Sequence, residues 1–279
     1  MTQHSIIEQI EQFLEEDIGS GDITAQIIPE RTRAEADVIT REEFVVCGQA
    51  CFDAVFRFLD EDVHIEWQAN EGDNVAKDSV LCRLKGNARA LLTGERTALN
   101  ILQTLSATAT VARRYADAVA GTGCQILDTR KTLPGLRKLQ KYAVTCGGCS
   151  NHRIGLFDGV LIKENHIIAA GSISKAVRVA REKSSVPVEV EVENLKEFEE
   201  ALAAAPDRIM LDNFSLDAMR SAVELNAGRV ELEASGNIEL DTIRAVAETG
   251  VGFISIGALT KNIKAVDLSM RIHLVKSHG

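Results

Sequence analysis

The second half of the chain repeats short apolar runs separated by stretches long enough for a helix. The later runs follow one another at intervals of about 20 to 25 residues, a spacing typical of strand–helix repeats in a parallel sheet. Six strands, and a seventh that the pattern does not resolve, predict a barrel related to the eight-stranded α/β type. A doubly wound open sheet is the structural alternative. The runs are CQILDT (124–129), GVLIK (159–163), VPVEVEVE (186–193), RIMLD (208–212), VELEAS (230–235) and FISIG (253–257).

The first part of the chain follows a different pattern. Residues 32–85 contain strand-like segments that turns separate, and the stretch from Glu95 to about Ala120 predicts one long helix. An amphipathic helix is expected at the very start, because apolar residues recur there at helical spacing: Ile6, Ile7, Ile10, Phe13 and Leu14.

Charge and composition exclude several classes of protein. The chain has 31 Lys and Arg against 41 Asp and Glu, and this net charge of −10 argues against nonspecific binding to nucleic acid or acidic membranes. The first residues lack the features of a signal peptide, and no charge-free run approaches the roughly 18 apolar residues of a membrane span. Six thinly spread cysteines do not form a secreted disulfide framework. We expect a soluble, cytoplasmic protein.

Cations gather in one segment of this acidic chain. Seven basic residues but only two acidic ones lie between Thr129 and His166. Clustered cations in a concave site repel one another unless an anionic ligand neutralises them, so the segment predicts a highly anionic substrate. Pro134 stands near the first turn of a predicted short helix. Its basic residues are expected on a solvated face: Arg137, Lys138 and Lys141.

Polar residues follow almost every predicted strand, at the end where α/β barrels carry their active sites. Thr129, Arg130 and Lys131 follow the first run, Lys163 ends the second, and Asp212 ends the fourth. The third run carries three glutamates on one face of the strand, and the last two runs lead into glycine turns suited to holding phosphate. These further candidates are Glu189, Glu191, Glu193, the turn Ser235-Gly236-Asn237 and the turn Gly257-Ala258-Leu259.

The loop cysteines and histidines have simpler interpretations. Cys146 and Cys149 form a CxxC with no second pair at zinc spacing, and we predict two reduced thiols. His152 and His166 show no ligand-like grouping, so neither is assigned to a metal. The flexible glycine loop instead allows His152 and Arg153 to reach the anionic ligand.

Several long blocks in a fixed order resemble the quinolinate phosphoribosyltransferase family, and the likeness covers nearly the whole chain. Shorter matches lie upstream at residues 14–24 and 95–100. Cys149 is a departure, since the family usually has a third glycine there. The main blocks are DTRKTLPGLRKLQKYAV, CGGCSNHRIGLFDGVLIKENHI, EVEVEN, IMLDN, EASGNI and ISIGALTK.

The resemblance implies an N-terminal α/β sandwich domain (1–107) and an incomplete seven-stranded α/β barrel of the type II phosphoribosyltransferase kind (108–265). A C-terminal segment (266–279) is expected to pack back on the first domain. The implied reaction joins quinolinate to phosphoribosyl pyrophosphate with Mg²⁺, giving nicotinate mononucleotide, pyrophosphate and CO₂ for NAD synthesis. A homodimer, or a higher assembly of dimers, is implied as well.

Residue roles also follow from the resemblance. Arg130, Lys131, His152, Arg153 and Lys163 match positions around the quinolinate carboxylates and the pyrophosphate, with Thr129 beside them. The catalytic candidates are Lys131, Lys163, Glu191 and Asp212. Glu191 and Asp212 match an acidic pair near the ribose and Mg²⁺, with Glu189 and Glu193 as register alternatives. The turns at 235–237 and 257–259 match 5′-phosphate loops, and Arg96 matches an arginine that reaches the site from the neighbouring subunit.

Four other functions compete with this interpretation. A paralogue associated with molybdate transport shares the fold, and nicotinate phosphoribosyltransferase handles one carboxylate without decarboxylation. Lys163 at a strand end also suits a Schiff-base aldolase. A non-catalytic anion-binding protein would bind the substrates without releasing CO₂.

Overall fold

The computed structural model describes residues 3–274, with side chains from residue 9 to residue 273, and it consists of two units. The first contains the described residues up to Thr110 together with those from Ile263 onward, and the second is Val111–Asn262. The boundary after Thr110 falls within one long helix.

The strands of the first unit are β1 (Arg33–Thr40), β2 (Phe44–Val45), β3 (His64–Trp67), β4 (Asn74–Val75), β5 (Val80–Asn87) and β12 (Leu268–Leu274). Four of them form an antiparallel sheet in the order β12-β1-β5-β3, and β2 and β4 form a separate pair. A 3-10 turn of the unit spans Ala25–Ile27. Its helices are α1 (Gln3–Ile18), α2 (Gln49–Leu59) and α3 (Ala88–Ala118), of which α3 continues into the second unit.

The predicted first helix is confirmed as α1, in which Ile10 and Leu14 are buried; the side chains of Ile6 and Ile7 lie outside the described part. Residues 275–279 of the C-terminal segment also lie outside it.

Two features of this unit differ from the sequence prediction. Helix α2 lies where the sequence predicted only strands and turns, and it buries Phe52 and Phe56 on one face. Helix α3 begins at Ala88 rather than at Glu95, because the Asn87 side chain accepts hydrogen bonds from the backbone N–H groups of residues 89 (2.9 Å) and 90 (3.3 Å). Gly94 permits the close approach of α2 and α3, since a Cβ there would lie 3.0 Å from the Phe56 ring.

The second unit contains one parallel sheet of six strands, and each predicted run contributes one strand. The strands are β6 (Gln125–Leu127), β7 (Val160–Ile162), β8 (Val188–Val192), β9 (Arg208–Asp212), β10 (Glu231–Ser235) and β11 (Phe253–Ser255). The helices are α4 (Arg137–Cys146), α5 (Glu164–Ala170), α6 (Ile173–Lys183), α7 (Leu195–Ala204), α8 (Leu216–Asn226), α9 (Ile243–Ala247) and α10 (Ala258–Lys261).

The strand order decides between a barrel and an open sheet. Neighbours follow the chain from β7 to β11, and β11 then pairs with β6, the first strand. A doubly wound sheet instead reverses its order at a switch point. The fold is therefore an incomplete α/β barrel, open between β6 and β7. The expected seventh strand is reduced to an isolated parallel bridge between Leu127 and Ser150 in this gap.

Local sequence explains how the barrel helices begin. Ser172, Asn194 and Ser215 precede α6, α7 and α8, and each side chain accepts a hydrogen bond from the first turn of its helix. The strands between them are buried on both faces, as parallel strands covered by helices must be. The core of the unit includes Val190, Phe198, Ile209, Ala234 and Ile254.

Strand β12 should stabilise the first unit through its buried side chains. Met270 is paired with Val38 and is buried, whereas its neighbour Arg271 is exposed. We expect Met270→Ala to lower the free energy of unfolding by about 2 kcal/mol, because it removes buried apolar volume. Arg271→Ala should change it by less than about 0.5 kcal/mol.

The fluorescence of Trp67, the one tryptophan of the chain, reports unfolding of the first unit during urea titration. Equal effects of the two substitutions would show that β12 does not support the sheet through its buried face.

Candidate active site

Most predicted site residues lie at the carboxyl ends of the parallel strands. Lys163 directly follows β7, Asp212 and Ser235 are the last residues of β9 and β10, and Gly257 lies two residues beyond β11. Asp212 and Ser235 are register partners. Because the strands are parallel, these ends share one edge of the barrel.

Lys163 and Glu191 form an ion pair between the neighbouring strands β7 and β8. The lysine is half exposed, and the glutamate is largely buried. His166 is occupied nearby, since its Nδ1 accepts the Lys163 backbone N–H at 3.0 Å at the start of α5. His166 therefore serves the helix terminus, whereas the lysine ammonium stays accessible to an anion.

Lys131 is held against the turn that follows β11. The Thr260 hydroxyl donates to the Lys131 carbonyl at 2.8 Å, and the Thr129 hydroxyl accepts the Lys131 backbone N–H at 3.1 Å. A Cβ on Gly257 would lie 3.1 Å from Cδ of Lys131, so glycine leaves room for this side chain. Ala258 begins α10, and the Leu259 side chain is fully buried in the core. Only the backbone of Leu259 is therefore available to a ligand.

The turn after β10 is built around Asn213. The Asn213 backbone N–H donates to the Ser235 carbonyl at 2.9 Å, and the Asn237 amide donates to the Asn213 side chain at 3.3 Å. Gly236 has a φ of +95°, and a Cβ there would lie 2.2 Å from Asn213 Oδ1. Packing between the two loops thus requires glycine here, whatever the turn binds. Asp212 accepts a hydrogen bond from the Asn213 amide at 2.7 Å.

The three glutamates of the third run take different positions. Glu189 and Glu191 belong to β8, but Glu193 lies beyond it, exposed, and its backbone N–H donates to Glu197. The expectation that all three share one face of the strand is therefore wrong for Glu193. Glu189 is buried against His152 rather than near Lys163, so Glu191 is the glutamate of the run that pairs with Lys163.

His152 lies inside the barrel among carboxylates. Its Nε2 is 2.9 Å from Glu189 and 3.5 Å from Glu233, and its Nδ1 accepts the Arg153 backbone N–H at 2.8 Å. Glu233 is fully buried and also accepts a hydrogen bond from Arg208 at 3.1 Å. Glu233 was missed by the sequence prediction, although a glutamate inside an apolar strand run was a usable signal.

The pKa values of Glu233 and His152 are both raised in this cluster. Burial, together with the negative charge of Glu189, raises the pKa of Glu233 to about 7. Burial alone would lower the pKa of His152, but Glu189 and Glu233 outweigh it and the net shift is upward. The ligand atoms of these three residues lie within 4.8 Å of one another. Ion pairing with Arg208 already compensates their charge, and an imidazole does not suit Mg²⁺, which prefers oxygen.

Neither Arg130 nor Arg153 forms an ion pair among the described residues, although the negative charges of Glu189 and Asp158 act on Arg153. The Arg153 guanidinium donates to the Gly159 carbonyl at 2.9 Å. Burial, followed by the positive charge of Arg130, lowers the pKa of Arg153. Nε of Arg130 is buried and has no hydrogen-bond partner among the described residues. Two neighbouring guanidinium groups with an unused buried donor form a site for an anion.

The predicted surface helix is α4, and only part of the prediction holds. Lys138 is exposed as expected. Arg137 is half-buried and donates to the Thr132 hydroxyl and the Ile154 carbonyl. The prediction was wrong for Lys141, which is 3% exposed and forms an ion pair with Asp128. Helical spacing did not show that this lysine faces a buried carboxylate.

The site residues fall into two groups. The inner group consists of His152, Arg153 and Glu189. These residues line a cavity of about 1320 Å³, which extends to the loops that precede β7, β8, β9 and β10. An edge group contains Lys131, Lys163, Glu191, Asp212 and the two glycine turns, none of which lines that cavity. Arg130 and Lys131, adjacent in the chain, connect the groups. Arg96 is exposed on α3 in the first unit.

Two further observations concern the chain as a whole. No disulfide links the cysteines of the described residues, and the Cys149 thiol donates to the Ala112 carbonyl. No helix among residues 3–274 is long and apolar enough to cross a membrane.

Protonation of the buried cluster should make stability depend on pH. The Glu233 pKa is raised from 4.5 to about 7, so its contribution to stability is present below about pH 4.5 and is lost as the pH rises through 7. Glu233→Gln should therefore become more favourable relative to wild type between pH 5 and pH 8, by on the order of 1–3 kcal/mol.

Urea unfolding followed by circular dichroism at both pH values measures this difference. Glu224→Gln, at an exposed position on α8, is the matched control and should show no pH-dependent difference. If Glu233→Gln changed the free energy of unfolding by the same amount at both pH values, the raised pKa could not be assigned to Glu233.

Comparisons of the sequence and the structure with known proteins all relate the chain to one family. Residues 22–106 and 108–271 match the models of the quinolinate phosphoribosyl transferase N-terminal and C-terminal domains. A "probable nicotinate-nucleotide pyrophosphorylase [carboxylating]" of Bacillus subtilis is 43% identical over 267 residues, 95% of this chain and 92% of the relative. A mitochondrial "quinolinate phosphoribosyltransferase [decarboxylating] 2" of Nicotiana glauca is 39% identical, over 96% of this chain and 82% of the relative. The solved nicotinate-nucleotide pyrophosphorylase of Francisella tularensis superposes with a TM-score of 0.93 at 47% identity, covering 98% of each chain.

Proposed function

The chain belongs to the quinolinate phosphoribosyltransferase family, and we propose that it transfers the phosphoribosyl group of phosphoribosyl pyrophosphate to quinolinate. The pentosyltransferase reaction releases pyrophosphate and CO₂ and forms nicotinate mononucleotide, a precursor in NAD synthesis. The relatives support this reaction, and nothing in them supports the paralogue associated with molybdate transport.

One observation in the site carries the proposal. Arg130 and Arg153 lie close enough for their positive charges to interact, and Nε of Arg130 is a buried donor without a partner in the described part of the chain. A ligand with two adjacent carboxylates supplies two anions to this pair. Quinolinate has such carboxylates, whereas nicotinate has one.

The edge group suits the transfer step. The ring nitrogen of quinolinate forms a bond to the anomeric carbon of the ribose as the bond to pyrophosphate breaks. Negative charge grows on the leaving pyrophosphate, to which we assign Lys131 and Lys163, while positive charge grows on the ribose, to which we assign Glu191 and Asp212. The Lys163–Glu191 ion pair supports this division, because it places both signs of charge at adjacent strand ends.

Decarboxylation follows from the chemistry of the adduct. Its ring nitrogen is positive, so the electron pair left on the neighbouring carbon when CO₂ departs is stabilised electrostatically. A lysine ammonium close to that carbon adds to this stabilisation, and we assign the role to Lys131 or Lys163. The carbon then takes up a proton.

The residues of the edge group fit Mg²⁺ in their donor chemistry. Glu191 and Asp212 offer carboxylate oxygens, but each is already engaged, with Lys163 and with the Asn213 amide. They would therefore hold the ion jointly with the substrate's phosphates, as is usual for Mg²⁺. When bound, Mg²⁺ supplies charge neutralisation to the pyrophosphate.

The glycine turns at 235–237 and 257–259 are proposed to hold the 5′-phosphate. Ser235 and Asn237 contribute polar side chains, while the second turn contributes backbone N–H groups near Lys131. A cytoplasmic location stays a prediction.

Substrate choice tests the proposed function directly. With phosphoribosyl pyrophosphate and Mg²⁺, we expect quinolinate to give equimolar CO₂ and nicotinate mononucleotide. Nicotinate should give kcat/KM lower by roughly 10²-fold or more, because a missing carboxylate leaves one guanidinium of the pair without an anion. Comparable efficiency on both substrates, or binding of quinolinate without CO₂ release, would contradict the proposal.

We also propose that the chain forms a twofold homodimer in which Arg96 serves the partner's site. A twofold interface presents the same patch on both subunits, so each Arg96 would enter the other barrel. Arg96→Ala and Lys163→Ala should each reduce kcat/KM by roughly 10²-fold or more, while Lys138→Ala, at an exposed position of α4, should stay within about threefold.

Mixing the two inactive variants tests the sharing of Arg96. After unfolding and refolding in equal amounts, half of the dimers are mixed, and one site of each mixed dimer carries no defect. About a quarter of wild-type activity should therefore return. If Arg96 served its own subunit, every site would carry one defect, so no recovery after subunit exchange confirmed by mass spectrometry would rule out the sharing.

A further inference from the structure

Asp128 carries a fully buried carboxylate just beyond β6, and three neighbours surround it. The ammonium of Lys141 is 2.5 Å from Oδ1, the backbone N–H of His152 donates to Oδ1 at 2.8 Å, and the Asn151 amide donates to Oδ2 at 2.8 Å. Asp128 is 0% exposed and Lys141 is 3% exposed. The carboxylate therefore ties β6, α4 and the loop after α4 to one point.

Lys141 also connects α4 to the loop that contains Asn151 and His152. Its ammonium also donates to the His152 carbonyl at 2.9 Å, and its own carbonyl accepts the Asn151 amide at 2.8 Å. The backbone of His152 is thus held at both its N–H and its carbonyl. Such double fixing specifies the position of a loop more tightly than either bond alone.

Burial offsets much of the stability that this ion pair could contribute. Burial raises the pKa of Asp128 and lowers the pKa of Lys141, although their mutual hydrogen bond opposes both shifts. Apolar residues of similar volume generally stabilise a core as well as a buried ion pair does, or better. The ion pair fixes the direction of the backbone and amide groups that form hydrogen bonds with it. Apolar residues would not do so.

The segments joined by this ion pair carry Arg130 and Arg153, the two arginines for which the described residues provide no ion pair. Arg130 follows Asp128 by two residues, and Arg153 directly follows His152, whose Nδ1 accepts the Arg153 backbone N–H. Burial, followed by the positive charge of Arg130, lowers the pKa of Arg153, so the two arginines are close enough for their like charges to repel each other. To keep these two like charges close together without a ligand, the backbone of both segments must be held rigidly.

We propose that the Asp128–Lys141 ion pair is a positioning element that fixes Arg130 and Arg153 at the separation that binds the adjacent carboxylates of an aromatic 1,2-dicarboxylate. This inference rests on the proposed function, since it concerns how that function's dicarboxylate is bound. Neither Asp128 nor Lys141 touches the substrate in this scheme. Both act through the backbone positions of the arginines.

Kinetics of isosteric variants separate this role from a purely structural one. Lys141→Met and Asp128→Asn should each raise KM for quinolinate by about tenfold or more, because the arginines are no longer held in place. KM for phosphoribosyl pyrophosphate should stay within about threefold. The double variant should resemble the single variants rather than multiply their effects, since both remove the same interaction.

Controls distinguish positioning from loss of stability. Val177→Ala removes buried volume from α6 and should lower the melting temperature without changing KM for quinolinate. Lys138→Met, on the exposed face of α4, should change neither quantity. If a single variant does not fold because it leaves one buried charge unpaired, the double variant carries the test, since it leaves none.

The possible outcomes point to different conclusions. Wild-type turnover of quinolinate together with an unchanged KM in the folded double variant would overturn the positioning role and leave the proposed function intact. An equal rise in KM for both substrates would also overturn it. A wild-type protein that neither binds nor converts quinolinate would overturn the proposed function and, with it, this inference.

Discussion

The barrel depends on supplying a carboxylate to nearly every cation that its strands bring together. An unpaired charge in a protein interior costs several kcal/mol, so a fold that gathers basic side chains must also bury acids beside them. Strands β8 and β10 and the residue after β6 supply these acids from different parts of the chain. The resulting pairs are Lys163–Glu191, His152–Glu189, Arg208–Glu233 and Lys141–Asp128.

Arg130 and Arg153 form no such ion pair among the described residues, and Glu189 and Asp158 compensate Arg153 only in part. Their like charges and the unused buried donor on Arg130 make the ligand-free barrel less favourable than a fully paired one. In the proposed function, a dianion that neutralised both would recover this energy on binding. Among the paired cations, Lys141 is enclosed with its carboxylate, whereas Lys163 is half exposed beside Glu191 and stays accessible to an anion. For the proposed dicarboxylate site, cations without an ion pair are therefore a better indication than the total positive charge.

The sequence predicted the barrel strands well, because apolar runs of parallel strands stand out between helices. It predicted the contacts of charged residues poorly. Lys141 was expected on a solvated face because its helix is rich in basic residues, and its partner Asp128 lies 13 residues away along the chain. Glu233 was overlooked, since its partners His152 and Arg208 come from other segments. Helix α2 was missed in a region dominated by strand-like segments.

Closure of the barrel explains how one site can serve two substrates. Because β6 pairs with β11, the cationic loop after the first strand lies against the glycine turn after the last. The hydroxyl of Thr260 bonds the Lys131 carbonyl, and the Thr260 carbonyl accepts the amide of Gln140 from α4 at 2.9 Å. These bonds hold Lys131 beside the last turn, and the adjacent Arg130 is close enough to Arg153 for their charges to interact. An open sheet with the same strands would leave these loops on opposite edges, so pairing of the first and last strands is what would bring a dicarboxylate and a phosphorylated sugar together in the proposed function.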